Sequence, residues 1–354
     1  MGAIKFLVER TIFDYIKFNH GGNLRTRIIR MKFLVTGGLG FIGHNVVRVL
    51  ESFRHECAII DNKTTYGIIP QAELDDLMLE RLCRIKTRDI TYADISSPFD
   101  DSIFEGVDCV IHLASFPRQK VVNANPQAGS RVMSEGLLNL LELSVKHKIK
   151  RFVYISSSMV YGNFGKHEFF DGIDEASDCR PLGQYGIMKL AGEWLVEDYS
   201  RRCGLDYTII RPSAVYGPYD VEDRVVSKFL SAAMRGEEIV VNGIDDALDF
   251  TYVDDCATGI ALAATSDDSR NATYNITRSQ SRTLLDAAKL AVDIVGKGSI
   301  LVKPRDNNFP QRGQLNILRA KSDFGYYPTV NIEEGFQEYY DWLKGSIYRI
   351  KKAV

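Results

Sequence analysis

The 354-residue sequence predicts an α/β protein. It is expected to hold a Rossmann-type, doubly wound parallel sheet with a smaller C-terminal substrate-binding lobe. Three observations predict this. Short apolar runs alternate with amphipathic stretches from Met31 to Pro212, as parallel strands covered by helices on both faces require. The first run passes into a glycine-rich turn that opens a helix, TGGLGFIG (36–43). The second run ends on an acidic residue, Asp61.

The elements follow in order. KFLVT (32–36) is the first strand and Phe41 to Phe53 the first helix. CAIID (57–61), VDCVIHLA (107–114) and RFVYISS (151–157) are buried-strand runs. Between the last two, Leu137, Leu138, Leu140, Leu141 and Val145 fall on helical spacing over Met133 to His147. Tyr185 to Arg201 is a second clear helix, and DYTIIRP (206–212) a strand. Residues 31–212 are therefore assigned to a dinucleotide-binding domain, with 247–274 returning to it. The alternation weakens in 213–246 and 275–345, which are assigned to the substrate lobe. Residues 1–30 match no pattern that follows and are expected to be a flexible or loosely docked extension.

Composition narrows the function. The chain is 45% hydrophobic and 25% charged, with a formal net charge of −2, so no overall basic field points to nucleic acid. The six cysteines form no C-x-x-C pair and no metal-ligand spacing with histidine, so neither a metal site nor a disulfide framework is expected. No apolar run is long enough to span a bilayer. Lys5, Glu9, Arg10 and Asp14 break any secretory apolar region, and Phe6 stands at the Ser/Thr position of a myristoylation signal. The expected location is the cytoplasm.

Gly37, Gly40 and Gly43 are spaced for a tight turn, close backbone approach to a pyrophosphate, and tight helix–strand packing. A helix opening there offers free N–H groups to the phosphates. Asp61 stands where a carboxylate accepts the adenosine ribose hydroxyls, which favours NAD over NADP, although Lys63 weakens that preference. Asp89, placed after a third candidate strand, is assigned to the adenine; a simple turn aspartate explains it nearly as well. Tyr185 and Lys189 are four apart on one helix face. Tyrosine titrates near ~10, and a lysine cation beside it favours the phenolate. Lys189 is also placed to bond the nicotinamide ribose. Ser157 ends a strand at the carboxyl edge of the sheet, where ligands of such sheets bind. Taken singly, each of these has a bland explanation, as a surface tyrosine or a turn serine. Their order along the chain favours a catalytic set.

The ordered motifs resemble the extended short-chain dehydrogenase/reductases, in the NAD-dependent sugar-nucleotide epimerase/dehydratase family. The matching pieces are TGGLGFIG (36–43), DN (61–62), RDI (88–90), HLAS (112–115), SSSMVYG (156–162), YGIMK (185–189), RPSAVYGP (211–218), DFTYVDD (249–255) and QRGQLNILRAKSDFGYYP (311–328). The resemblance implies NAD contacts from Phe41, Ile42, Asn62, Ile90, Leu113 and Ala114 beside those already named. It implies that Tyr185 takes a sugar hydroxyl proton, so that a transient keto sugar forms. It also implies a homodimer built on helices near 131–147 and 185–201, with Leu190, Trp194, Leu195 and Tyr199 as an apolar stripe that core packing explains equally well.

Dehydratases of the family carry Asp-Glu after the catalytic hydroxyl residue, where this chain has Ser158 and Met159. Methionine moves no proton, so an epimerase, most often acting at C4, is expected over a 4,6-dehydratase. A net sugar-nucleotide dehydrogenase or reductase shares every residue named. A non-catalytic dinucleotide-binding protein ranks lowest, because Tyr185 and Lys189 are both present. Met133 and Ala214 replace frequent asparagines, and Leu248 replaces an arginine that contacts the substrate diphosphate. Arg312 is the substitute phosphate partner, or equally an exposed loop arginine; Arg118 is a weaker candidate.

Overall fold

Strand β1 (Lys32–Thr36) is flanked by β2 (Glu56–Asp61) and β4 (Cys109–His112), all three parallel and almost wholly buried. In this computed structural model, residues 30–116, 118–164, 172–221 and 224–345 are described. The expected N-terminal extension thus lies, but for Arg30, outside the described residues. With β3 (Ile90–Tyr92), β5 (Arg151–Ile155), β6 (Asp206–Pro212) and β7 (Ala272–Ile276), the strands form one seven-stranded parallel sheet. Its order is β7-β6-β5-β4-β1-β2-β3. The chain runs outward from β1 in both directions, so a crevice opens where β1 and β4 part, at the carboxyl edge.

Continuous Val/Ile/Leu runs give such strands because both faces are covered. Helix α1 (Phe41–Ser52) and helix α2 (Gln71–Leu82) follow β1 and β2. On the other side, α3 (Gly136–Lys146) packs against α4 (Gln184–Cys203). Leu137, Leu140 and Leu141 of α3 meet Phe152 and Tyr154 of β5 in the main core. The helical spacing predicted for this stretch holds, but its first turn, Arg131–Glu135, is a π-helix.

Beyond β6 the structure is more helical than the sequence suggested. Helices α5 (Val225–Arg235), α7 (Leu284–Val295) and α8 (Ile332–Gly345) stand where short elements and turns were expected, and α6 (Val253–Thr265) lies in the segment expected to return to the first domain. Helix α6 packs on α1. Phe229, Leu230, Ile239, Phe250, Ala288 and Phe336 belong to a second core. From Lys32 onward these parts form one compact unit.

The turn between β1 and α1 depends on absent side chains. Gly37 has φ +68°, and a Cβ on it would lie 2.8 Å from the Ala114 amide nitrogen. A Cβ on Gly43 would lie 2.1 Å from the Gly37 carbonyl oxygen. Backbone cannot yield as a side-chain tip can. Gly43→Ala is therefore expected to cost about 1–3 kcal/mol, seen as a lowered thermal midpoint; an unchanged midpoint would show that the turn relaxes freely.

Candidate active site

Gly37, Gly40, Phe41, Ile42 and Gly43 wall one side of a cleft of about 580 Å³. Gly40 caps α1 without any side-chain hydrogen bond to the helix end. The N-terminal turn of α1 therefore borders the cleft with backbone alone, and the two crowded glycines keep that surface bare. Such a surface fits a diphosphate. Asp61 and Asn62 border the cleft from the end of β2, Leu113 and Ala114 from the end of β4. The Asp61 carboxylate accepts from Leu39 N (3.0 Å) and Lys63 N (2.9 Å), which fixes it under the glycine turn. Burial pushes its carboxyl up, and those amides work against the shift.

Asp89 and Ile90 are not in the cleft. Strand β3 begins at Ile90, so Asp89 precedes the strand instead of following it. Its carboxylate is largely exposed and lies 3.5 Å from Lys32 Nζ, beside the start of β1. A second Asp-Ile pair, Asp94–Ile95, follows β3 at the carboxyl edge, and Ala93 and Ile95 line the cleft. The structure thus places Asp89 before β3, at the other end of the strand from the cleft. Two Asp-Ile pairs flank a three-residue strand, and only the strand's true position separates them.

Ser157, Tyr185 and Lys189 meet across the cleft from the glycine turn. Ser157 caps a short 3₁₀ turn, Ser158–Tyr161, with its Oγ accepting from Met159 N at 3.2 Å. Burial raises the pKa of the Tyr185 phenol, and Arg224, the Ser157 hydroxyl and Arg312 pull it back. Lys189 was expected to supply that cation; its Nζ donates one hydrogen bond, to the Ile155 carbonyl at 2.7 Å. Burial brings the Lys189 ammonium down to about 7, with Glu193 opposing. Arg118 and Arg312 both line the cleft, as does Ser158. Burial lowers Arg312 to about 10, with Asp246 and Tyr185 opposing. Arg312 is half-buried in the cleft wall.

Sequence reasoning missed the layer beneath. Glu193, one turn beyond Lys189, takes a bidentate ion pair from Arg211 of β6, at 2.6 Å and 3.0 Å. Ser156 Oγ donates to the same carboxylate. Arg211 also donates to the Tyr161 hydroxyl at 3.0 Å. The four-residue interval from Lys189 to Glu193 was a readable signal for a shared helix face. The proposed apolar stripe on α4 also needs correction. Leu190 and Tyr199 are buried, whereas Ile187 and Trp194 are 53% and 62% exposed. Among the described residues no cluster fit to hold a metal ion occurs, and no helix is long and apolar enough to cross a membrane.

Residues 33–277 match the sequence profile of the NAD dependent epimerase/dehydratase family. The chain belongs to that family. A putative UDP-glucose 4-epimerase of Methanocaldococcus jannaschii is 30% identical over 324 residues, covering 88% of this chain and 98% of that one. The UDP-glucose 4-epimerase of Thermotoga maritima, solved with UDP-glucose, has a TM-score of 0.77 at 27% identity, over 90% and 100% of the two chains. The UDP-glucuronic acid 4-epimerase of Bacillus cereus, solved with UDP-glucuronic acid and NAD, has a TM-score of 0.80 at 26% identity, over 89% and 99%. This epimerase/dehydratase is thus an NAD-dependent enzyme of the extended short-chain dehydrogenase/reductase type. Its glycine turn, Asp61 and Ile95 line the wall that would hold NAD.

The depressed ionisation of Lys189 has a measurable sign. An unfolded lysine titrates near ~10.4, the folded one at about 7. Between those values the unfolded chain binds one more proton, so this group makes stability rise with pH, by at most ~1.4 kcal/mol per unit. The melting difference between the cofactor-free protein and its Lys189→Met variant is expected to grow in favour of the wild type from pH 7 to pH 9. A pH-independent difference would refute the assignment.

Proposed function

We propose that the chain is a 4-epimerase of UDP-sugars that works through a transient keto sugar. Tyr185 removes the proton of the sugar 4-hydroxyl, and Ser157 holds that oxygen. The keto sugar turns over in the cleft, and Tyr185 returns the proton when the opposite face is reduced. Bound NAD supplies the hydride acceptor and gives the same hydride back. Lys189, anchored at the end of β5, is positioned toward the ribose edge of the cofactor. Residues 213–246 and 275–345 are the lobe that grips the nucleotide sugar, with Arg312 and Arg118 as its phosphate and sugar contacts.

One observation carries the choice of reaction. Among the described residues two carboxylates line the cleft, Asp61 and Asp220. Asp61 is bound to two backbone amides. Asp220 accepts from Val221 N at 2.9 Å and pairs with Arg224 at 3.1 Å. Beside Ser157 stand Ser158 and Met159. Elimination of water needs a further proton carrier next to Tyr185, and none of these residues supplies one. A net dehydrogenase remains the second hypothesis, since it needs the same Tyr185, Lys189 and Ser157.

Two further proposals attach to this reading. Leu138 and Val145 of α3, both 36% exposed, and Ile187 and Trp194 of α4 are the exposed large apolar side chains of these two packed helices. These side chains are proposed as the homodimer interface, in place of the stripe drawn from sequence. The six cysteines are free thiols, which fits the reducing cytoplasm.

Protein purified without added cofactor is expected to release NAD on heating and to convert a UDP-hexose into an isomer of equal mass. A product lighter by one water would make it a dehydratase; turnover only with added NAD would make it a dehydrogenase. Tyr185→Phe is expected to lower kcat about 10²–10⁴-fold while retaining NAD. Trp194→Glu is expected to sediment as a monomer; a monomeric wild type at micromolar concentration would remove the dimer proposal.

A further inference from the structure

Arg81, in the last turn of α2, is 3% exposed and stands where two distant parts of the chain meet. Its Nη1 donates to the Leu39 carbonyl at 2.9 Å, in the turn between β1 and α1. Its Nε and Nη2 both donate to the Tyr219 carbonyl, at 3.1 Å and 2.7 Å. Tyr219 lies between β6 and α5, 138 residues further along the chain. One guanidinium therefore holds the dinucleotide turn and the segment that leads into the second lobe. Its planar fork, with donors in fixed directions, is what lets one side chain grip two carbonyls at once.

Both ends of this bridge are themselves fixed. Asp61 takes the Leu39 amide at 3.0 Å, so that residue is held through its N–H and its carbonyl alike. Tyr219 has φ +70°, a left-handed conformation that a residue with a Cβ keeps only when its surroundings impose it. The Arg84 guanidinium lies 4.2 Å from the centroid of its ring, and the rings of His44 and Trp342 pack against it at 5.7 Å and 5.2 Å. The peptide gripped by Arg81 leads directly into Asp220, which is 2% exposed and pairs with Arg224 at 3.1 Å. Arg224 lines the cleft together with Tyr185, and its guanidinium lies 5.7 Å from the centroid of the Phe41 ring.

We propose that Arg81 is a positioning residue: by gripping the Tyr219 carbonyl it places Asp220, and through Asp220 it sets where the Arg224 guanidinium stands relative to the Tyr185 phenol. This deepens the reading of Tyr185 as the base and rests on it. Around the phenol are Lys189 one turn along its own helix, Tyr154 and Ser157 from β5 and its end, Arg224 from the start of α5, and Arg312 from the C-terminal segment. Burial raises the phenol's pKa, and Arg224 is the largest of the influences that lower it. That attraction falls with distance, so displacing Arg224 makes the phenol a weaker acid.

The phenol is read directly by tyrosinate ultraviolet absorbance in protein saturated with NAD, as the difference between each protein and the same protein carrying Tyr185→Phe. Arg81→Lys keeps the charge and loses the fork. It is expected to raise the Tyr185 titration by at least ~0.5 pH unit, and Arg81→Gln by as much. In an Arg224→Gln background, Arg81→Lys is expected to add little further shift, because the group it positions is gone. Titration of Arg81→Lys like wild type would overturn the proposal, as would a shift of the same size with and without Arg224. Loss of the folded far-ultraviolet dichroism in Arg81→Lys would also overturn it, by making Arg81 a residue of the fold alone. None of these readings needs turnover, so failure of the epimerase reading would appear elsewhere, in wild-type protein whose product is not an isomer.

Discussion

The buried ion pair between Glu193 and Arg211 is the interaction on which the site's geometry depends. It joins α4, which carries Tyr185 and Lys189, to β6, and through Ser156 it takes hold of the end of β5. Arg211 continues to Tyr161, and Tyr161 donates to Asn275 of β7 at 2.8 Å. Three strand ends and the catalytic helix are thus tied at one point. A buried pair contributes little net stability, because desolvation offsets most of the attraction. Its geometry is exacting all the same, since two parallel guanidinium–carboxylate bonds fix both partners in a plane. The consequence is positional. Ser157 and Tyr185 meet because the elements bearing them are held to a common anchor one layer below.

That anchor also explains the state of Lys189. An ammonium in so dry a place needs compensation, and Glu193 is the carboxylate that supplies it. The lysine donates a hydrogen bond to the Ile155 carbonyl at the end of β5. Tyr185 is then tuned from the other side of the cleft by Arg224 and Arg312. Base and cation belong to the same helix face, yet they answer to different neighbours.

Much of this was legible in the sequence. The glycine turn, Asp61, Ser157 and the Tyr185–Lys189 interval all lie where the pattern put them, because each is local. A turn, a strand end and a helical repeat are written within a few residues. The errors fall where position depends on distant chain. Asp89 was placed after β3 and in fact precedes it, because β3 is a half-buried edge strand of three residues with no apolar run to mark it. Leu190 and Tyr199 were grouped with Trp194, yet packing on the sheet decides which side of α4 faces inward. Glu193 and Arg211 lie eighteen residues apart on different elements, and nothing local pairs them. The helices of the second core were passed over because the strand–helix alternation that guides the first half does not continue there.

The polar groups that would receive the cofactor are already satisfied by the chain itself. Asp61 is held by the amides of Leu39 and Lys63, and Lys189 by the Ile155 carbonyl. Binding of the dinucleotide would then exchange one set of hydrogen bonds at this wall for another, and the chain's own amides and carbonyl hold these side chains in place beforehand.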